Sequence, residues 1–286
     1  MKQLLVLSGK GGTGKTTLVS SFIELGGFKA FADCDVDAPN LHLMAKTDNL
    51  IEKRDYFGMD KCAINTEKCI GCGLCATKCR FDAIQKVNDK YEINKYNCEG
   101  CGFCEILCPT SAITFKNNKA GDIEIFQDDK FLSTAKLKMG EGNSGLLVTE
   151  VKKNLIKSNE PYAIVDGSPG IGCPVIASTV GVNVIIIVTE PSLSGISDLD
   201  RIAKTINHLD AKILAVVNKY DINIEKTKEI ETYCEKNNIE IVGKIPFEKN
   251  YNDFLNNKKT LLESNLGASN EVKNIYNKTM KILRRI

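Results

Sequence analysis

The sequence predicts an α/β protein with a doubly wound, mostly parallel sheet, into which a small cysteine-rich α+β domain is inserted. Three observations support this prediction. Apolar strands alternate with helical segments, a glycine-rich loop joins the first strand to the first helix, and two copies of one cysteine pattern interrupt the alternation. Near-continuous apolar strands separated by helices are typical of a parallel sheet covered on both faces.

The individual elements follow from hydrophobic periodicity. A buried strand at Lys2–Ser8 precedes the glycine loop, and a helix with apolar residues from Leu18 to Leu25 follows it. Further strands are predicted at 29–32, 162–166, 184–188, 213–217 and 239–242, and helices at 146–157, 197–209 and 224–237. Between Tyr56 and Phe126 the pattern changes to short strands and cysteines. We therefore assign residues 1–56 and 127–286 to the α/β domain and residues 57–126 to the insert.

Composition narrows the function classes. The chain has 286 residues, and 38 Lys and Arg against 36 Asp and Glu give a formal net charge of +2, so no nucleic-acid partner is expected. The apolar run near the N-terminus is too short for a signal peptide, and no stretch approaches the ~18–20 residues of a membrane span. The amphipathic, basic segment Ala268–Ile286 is expected to pack on the sheet, which makes membrane binding an unfavoured alternative. A cytoplasmic protein is predicted.

The glycine loop Gly9–Thr16 fits the pattern G-x4-G-K-[ST] and lies between a predicted strand and a predicted helix. Glycines allow backbone N–H groups to surround phosphate oxygens, and the helix N-terminus adds positive potential. Lys15 is expected to reach the β- and γ-phosphates, and the Thr16 hydroxyl to bind Mg²⁺. The phosphate-binding residues predicted here are Gly9, Lys10, Gly11, Gly12, Thr13, Gly14, Lys15, Thr16 and Thr17.

The string KGGTGKTT, with Lys10 early in the loop, resembles the deviant Walker A motif of the MinD/ParA/Mrp/nitrogenase-iron-protein superfamily of ATPases. The resemblance implies ATP with Mg²⁺ and an ATP-dependent homodimer, in which Lys10 reaches the nucleotide of the partner subunit. It also implies that Asp35, in AFADCDVDAPNLHL, orients the attacking water. Lys10, Lys15 and Asp35 are then the expected catalytic residues.

Three later segments match the same superfamily. Asp166 ends an apolar strand, where a Walker B aspartate would hold Mg²⁺ through water, and Gly170 would be the hinge of the second switch. Asn218 would hydrogen-bond adenine and Pro246 would pack on its ring. The string from Asn218 to Asp221 also fits N-K-x-D, a pattern of GTP-binding proteins, but the early lysine favours ATP.

The cysteines follow a repeated spacing, C-x2-C-x2-C-x3-C. The first run is Cys69, Cys72, Cys75 and Cys79, and the second is Cys98, Cys101, Cys104 and Cys108. This pattern resembles bacterial ferredoxins with two [4Fe–4S] clusters, in which the fourth cysteine of each run serves the other cluster. The resemblance implies one cluster on Cys69, Cys72, Cys75 and Cys108 and another on Cys98, Cys101, Cys104 and Cys79. Zinc is the alternative for paired C-x2-C motifs.

The two resemblances together predict an ATP-hydrolysing protein that transfers electrons from two [4Fe–4S] clusters to a protein partner, in metalloenzyme activation or maturation. Two alternatives stay open: a carrier of Fe–S or other metallocofactors, and a MinD/ParA-like positioning ATPase with a redox sensor. Cys173, just after the second switch, could bind a bridging cluster in a dimer, which would favour the carrier. Cys62 and the two other cysteines outside the runs are expected to fill space in the core.

Overall fold

The computed structural model describes residues 1–249, 260–264 and 267–286. The chain forms two compact units. The first contains Met1–Lys53, Ile123–Lys136 and Ser144–Ile286, and the second contains Arg54–Asp122 and Leu137–Asn143. Among the described residues, no helix is both long enough and apolar enough to cross a bilayer.

The described residues form thirteen strands. In chain order they are β1 (Lys2–Ser8), β2 (Ala30–Asp33), β3 (Leu50–Phe57), β4 (Lys61–Ile64), β5 (Ile84–Val87), β6 (Lys90–Ile93), β7 (Ile113–Lys116), β8 (Lys119–Gln127), β9 (Phe131–Leu137), β10 (Tyr162–Pro169), β11 (Val184–Thr189), β12 (Lys212–Asn218) and β13 (Glu240–Ile245).

The described residues also form nine α-helices. In chain order they are α1 (Lys15–Glu24), α2 (Leu41–Ala45), α3 (Leu74–Lys78), α4 (Phe103–Leu107), α5 (Ser144–Lys153), α6 (Cys173–Thr179), α7 (Leu193–Ile206), α8 (Ile224–Lys236) and α9 (Gly267–Arg285). Two 3-10 helices occupy Asn154–Ser158 and Leu261–Ser264. The helix predicted at 146–157 is thus a shorter α-helix that begins earlier and continues as a 3-10 turn.

Nine of the described strands form one sheet in the order β13-β12-β11-β1-β10-β2-β9-β8-β3. The pairs from β13 to β9 are all parallel, which confirms the predicted doubly wound α/β fold. The carboxyl ends of β1, β2 and β10 lie side by side, with Val6 opposite Asp166 and Asp166 opposite Asp33. Because loops at this edge carry the polar side chains, the candidate site forms there.

Strand β9 was absent from the sequence prediction, which placed no strand between residue 127 and the helix at 146. Its sequence FLSTAKL lacks a continuous apolar run, yet the strand is buried between β2 and β8. The Asn154 side chain donates a hydrogen bond of 3.1 Å to the Ser133 hydroxyl, so this buried polar group of β9 has a partner. Tertiary burial therefore overrides the weak strand signal.

Helix α9 packs on β13, as expected from its amphipathic sequence. Its buried face includes Val272, Ile275 and Leu283. A methyl group at Gly243 would lie 2.3 Å from the Ile275 Cγ1 atom, so this glycine permits the close approach of helix and strand. The Tyr276 ring meets Phe22 of α1 edge-on at 5.3 Å, which links α9 to the core of the first unit.

The second unit is built from two small antiparallel pairs, β4 with β7 and β5 with β6. Helices α3 and α4 have five residues each and begin within the first and second cysteine runs respectively. Its small apolar core contains Cys62, Ala83, Cys98 and Ile113, with several run cysteines packed against it. A core of this size gives little hydrophobic stabilisation, so the thiols are a large part of what the unit buries.

Candidate functional site

The glycine loop lies between β1 and α1, as predicted. Gly12 and Gly14 have φ values of 80° and 91°, and Gly14 is the residue that precedes the first turn of α1. Added Cβ atoms at Gly11 and Gly12 would meet nothing within 4 Å, so the backbone there borders open space. Free N–H groups at a helix N-terminus that face open space form a ready anion site.

Lys15 and Asp166 form a buried ion pair at the bottom of this loop. The Lys15 Nζ atom is 2.5 Å from Asp166 Oδ1, and the Thr16 hydroxyl is 2.6 Å from Asp166 Oδ2. Burial lowers the pKa of Lys15, but the charge and hydrogen bond of Asp166, together with Asp33 and Asp35, raise it above the ordinary value. Lys15 therefore stays positively charged, and Asp166 holds both the lysine and the hydroxyl expected to bind Mg²⁺.

Asp33 organises the loop that carries Asp35. Its carboxylate accepts backbone hydrogen bonds from Asp35 at 3.1 Å and from Asn40 and Leu41 at 2.9 Å. Burial and the charge of Asp166 raise the pKa of Asp33 to about 7, while the backbone donors and Lys15 oppose that shift. Burial also raises the pKa of Asp35. Asp33 thus fixes the path of the loop, and Asp35 is left to face the cavity.

The early lysine is paired within its own subunit. Lys10 Nζ lies 3.5 Å from Glu190 Oε2 and 3.3 Å from the Ser194 hydroxyl. Glu190 also accepts from Lys219 at 2.6 Å. Nothing in the sequence prediction included Glu190. Its position just after β11, at the same sheet edge as Asp166, is the signal that could have identified it.

A cavity of about 780 Å³ opens in front of the loop. The predicted site residues that line it are Gly11, Gly12, Gly14, Lys15, Thr16, Thr17, Asp35, Asn218 and Pro246. The lining described there does not include Gly9, Lys10, Thr13, Asp166 or Gly170. Leu43, Met44 and Phe247 add apolar surface to the lining. This volume, whose lining combines the phosphate-loop residues with apolar side chains, matches a nucleotide-sized ligand.

Asn218 supports the loop from behind. Its side-chain N–H donates to the Thr13 carbonyl at 2.8 Å, and its side-chain oxygen accepts from the Lys219 N–H at 3.0 Å. Asp221, the last residue of the N-K-x-D string, accepts from the Phe247 backbone N–H at 2.7 Å. The side chains of Asn218 and Asp221 thus both form hydrogen bonds with the protein's own backbone. A contact between Asn218 and a base stays a prediction.

Two further cavities lie in the second unit and are lined by the cysteine runs. The smaller, about 20 Å³, is lined by Cys69, Cys72, Cys75 and Cys108. The larger, about 350 Å³, is lined by Cys79, Cys98, Cys101 and Cys104, and also by Cys62 and Cys75. In each cavity the fourth cysteine of one run joins the first three of the other.

The environment of the cysteines is rich in backbone donors. The Gly100 N–H donates to Cys98 Sγ at 3.4 Å and the Ala112 N–H to Cys108 Sγ at 3.2 Å. Gly71, Gly73 and their counterparts in the second run have φ values between 64° and 76°, which only glycine adopts readily. Within the described part of the chain, no three His, Cys, Asp or Glu side chains converge on a single metal ion.

The remaining cysteines occupy different environments. Cys34 and Cys234 are buried in the first unit, and burial raises the pKa of both thiols. Cys173 is exposed at the start of α6, close to Gly145. Cys62 lies in the apolar core of the second unit, as expected, and it also lines the larger cysteine-lined cavity. Its spacing from the first run is the signal that could have identified it.

Comparisons with known proteins agree with this architecture. The uncharacterized protein MJ0578 of Methanocaldococcus jannaschii is 33% identical and aligns over 98% of this chain and 97% of its own. Among solved structures, MinD of Pyrococcus horikoshii complexed with Mg-ADP has a TM-score of 0.60 at 16% identity, with 98% of this chain and 96% of that one covered. The McdA(D38A)–ATP complex of Cyanothece has a TM-score of 0.58 at 16% identity, covering 99% and 96%. These structures show the shared fold.

A family model described as the CobQ/CobB/MinD/ParA nucleotide binding domain matches residues 4–261. That range contains the glycine loop, Asp35, Asp166 and Asn218, and it extends across the segment with both cysteine runs. The chain therefore belongs to the CobQ/CobB/MinD/ParA nucleotide-binding domain family.

Proposed function

We propose that the protein is an ATP-hydrolysing iron–sulfur protein that couples nucleotide-driven switching of a homodimer to electron transfer from two [4Fe–4S] clusters. Residues 57–126 are the proposed ferredoxin domain, and the electron acceptor is a protein partner. One observation carries the proposal. Each cysteine-lined cavity combines three thiols of one run with the fourth of the other, which is the ligand arrangement of two-cluster ferredoxins.

The donor set fits the proposed clusters. Each cavity is lined by the four cysteines proposed as its ligands, and in each cavity a backbone N–H group donates to one of these sulfurs. The larger cavity has room for a cluster, whereas the thiols around the smaller one must move outward to accept one. When bound, such clusters supply one-electron redox chemistry at potentials set by their surroundings. The protein would hold them with the eight cysteines named above.

The nucleotide site supports ATP with Mg²⁺ as its ligand. Asp166 pairs with Lys15 and accepts a hydrogen bond from the Thr16 hydroxyl. On binding, a phosphate would replace Asp166 as the partner of Lys15, and Mg²⁺ would replace it as the partner of Thr16. Asp35 lines the same cavity, at a place where a carboxylate could orient a water toward the terminal phosphate. Positioning of this kind, with charge stabilisation, accounts for most of the catalysis of phosphoryl transfer.

The order of segments along the chain supports coupling. The second unit begins at Arg54, after Asp35, and the chain returns to the first unit before Asp166. Asp35 and Asp166 therefore lie on either side of the cysteine segment in sequence. Nucleotide-dependent movement of such segments is a common means by which phosphate binding changes a distant surface.

A second candidate is a positioning ATPase with a redox sensor. It is favoured by the structural similarity to proteins titled MinD cell division proteins, such as that of Aquifex aeolicus, with a TM-score of 0.55 at 18% identity. The two candidates differ in what ATP does. An electron donor needs ATP to change cluster potential or delivery, whereas a positioning ATPase needs ATP to change binding to a surface.

The test is anaerobic reconstitution followed by iron and sulfide analysis and an EPR-monitored redox titration with ADP and with a non-hydrolysable ATP analogue. We expect about eight iron atoms per chain. We also expect a nucleotide-dependent shift in at least one potential, where about 60 mV corresponds to tenfold coupling. Lys15→Ala should abolish MgATP hydrolysis and the shift, and Lys153→Ala, an exposed lysine on α5, is the matched control.

The outcomes separate the candidates. Protein that binds no iron after reconstitution would refute the iron–sulfur proposal. Two clusters whose potentials ignore nucleotide, in a protein with ATPase activity and ATP-dependent binding to lipid or DNA, would favour positioning. ATP-dependent loss of iron to an apoprotein would instead favour the cofactor carrier.

A further inference from the structure

Cys62 is a ninth cysteine in the cluster unit and belongs to neither run. It lies on β4, paired with Phe115 of β7, and its side chain is 5% exposed. It lines the larger cysteine-lined cavity together with Cys79, Cys98 and Cys104. Its side chain belongs to the small apolar core against which Cys104 packs, and both Cys104 and Gly102 line the same cavity. A thiol in this position lies beside the proposed ligands of one cluster.

The chemistry of the ligand sets the direction of any hydrogen bond between Cys62 and Cys104. A cysteine that binds iron does so as a thiolate and has no proton to donate. A cysteine that binds no metal carries an S–H group, which is a weak hydrogen-bond donor. With Cys104 bound, only Cys62 can donate.

The pseudo-repeat shows that this feature distinguishes the two cavities. Cys62 lies seven residues before Cys69, the first cysteine of its run, and Tyr91 lies seven residues before Cys98. Cys62 lines the larger cavity and Tyr91 lines the smaller one. Cys62 shares the lining of its cavity with Gly102, and a Cβ atom at the repeat-equivalent Gly73 would lie 2.6 Å from the Tyr91 hydroxyl. The equivalent position therefore presents a thiol to one cavity and a phenol to the other.

We propose that the Cys62 thiol donates an S–H···S hydrogen bond to the Cys104 ligand and thereby raises the reduction potential of the cluster in the larger cavity. A donor to a ligand sulfur stabilises the more negative, reduced cluster, and hydrogen bonds to sulfur are among the factors that set these potentials. Cys62 is a positioning residue here and not a ligand. The inference rests on the proposed function, because it requires the clusters to be present.

The experiment is an EPR-monitored redox titration of the reconstituted full chain and of four variants. Cys62→Val and Cys62→Ala remove the donor, Cys62→Ser restores one, and Cys234→Ala deletes a buried thiol in the first unit as a control. The valine variant keeps the bulk of the side chain on its strand, so that a packing defect in the alanine variant can be recognised. Iron content is measured for each protein.

We expect Cys62→Val and Cys62→Ala to bind about eight iron atoms and to lower one of the two reduction equilibrium constants about threefold, which is about 30 mV at 59 mV per tenfold. The other potential should not move. Cys62→Ser should lie near the parent value, and Cys234→Ala should match the parent.

Three results would overturn the inference. Unchanged potentials in both donor-free variants would show that the hydrogen bond has no effect. Loss of about half the iron would show that Cys62 is a ligand. A serine variant that shifts as far as valine would assign the effect to packing. A parent protein without clusters would instead refute the proposed function, so the two failures are distinguishable.

Discussion

Gly14→Ala tests how the phosphate loop is held against β12. Gly14 has a φ of 91°, and an added methyl group would lie 2.3 Å from the Asn218 side-chain nitrogen. That nitrogen donates to the Thr13 carbonyl at 2.8 Å. The substitution therefore has two separate effects. It strains the backbone, and it forces Asn218 away from its hydrogen bond.

Each effect has its own magnitude. A non-glycine residue at positive φ costs about 1–2 kcal/mol. Overpacking a buried contact adds about 1–3 kcal/mol, which includes the lost hydrogen bond. We expect Gly14→Ala to destabilise the first unit by about 2–5 kcal/mol. In an Asn218→Ala background the clash is absent, so the same substitution should cost about 1–3 kcal/mol less.

The assay is hydrogen exchange by mass spectrometry, read on first-unit peptides across a urea series, for the four proteins of this double-mutant cycle. It reports the stability of the first unit even if the second unfolds separately. Gly26→Ala is the matched control, since Gly26 also has positive φ, of 81°, but its Cβ would meet nothing within 4 Å. Strict additivity of the two substitutions would refute the proposed contact between Gly14 and Asn218.

Three other predictions concern buried charges and the cysteines. Lys15→Met leaves Asp166 without its lysine, so we expect a loss of about 3–5 kcal/mol in stability and no MgADP binding by calorimetry; parent-like binding would contradict this. Burial lowers the pKa of Lys152 from its ordinary value of 10.5 to about 8. Between pH 8 and 10.5 this lysine is therefore protonated in the unfolded chain but largely neutral in the folded one. The free energy of unfolding of the parent protein should rise over that range by up to about 3 kcal/mol. Urea midpoints of Lys152→Met should lack that rise, and a parallel slope in both proteins would argue against it. Removing iron from the reconstituted protein should increase amide exchange in Arg54–Asp122 but leave the α1 peptides unchanged; equal protection with and without iron would contradict the cluster assignment.

Much of the parallel sheet could be predicted because its central strands are apolar throughout. The runs in β1, β10 and β11 are buried on both faces, so composition alone marks them as strands. Strand β9 could not be predicted in the same way. Its Ser133 and Thr134 are buried by residues far away in sequence, and the local hydrophobic pattern of β9 does not indicate that burial.

The candidate nucleotide site was predictable to the extent that its motifs are local. The loop residues, Asp35 and Asp166 come from contiguous strings. The role of Asn218 in holding backbone depends on a contact between segments that are separate in sequence, since Thr13 lies 205 positions away. Glu190 could not be predicted for the same reason, because its ion pair with Lys10 forms only when the ends of two strands become neighbours in the fold.

The double pairing of Glu190 has a consequence for how readily Lys10 can leave its own subunit. Lys10 is 42% exposed and lies 3.5 Å from the carboxylate, whereas Lys219 lies at 2.6 Å on the other oxygen. When Lys10 departs, Glu190 keeps a cation and is not left as an uncompensated charge. Exposed pairs of this kind contribute about 0–1 kcal/mol. Loss of the ion pair between Lys10 and Glu190 would therefore cost little free energy. In any dimer, the contribution of Lys10 to affinity would depend mainly on the contacts that it forms in the partner subunit.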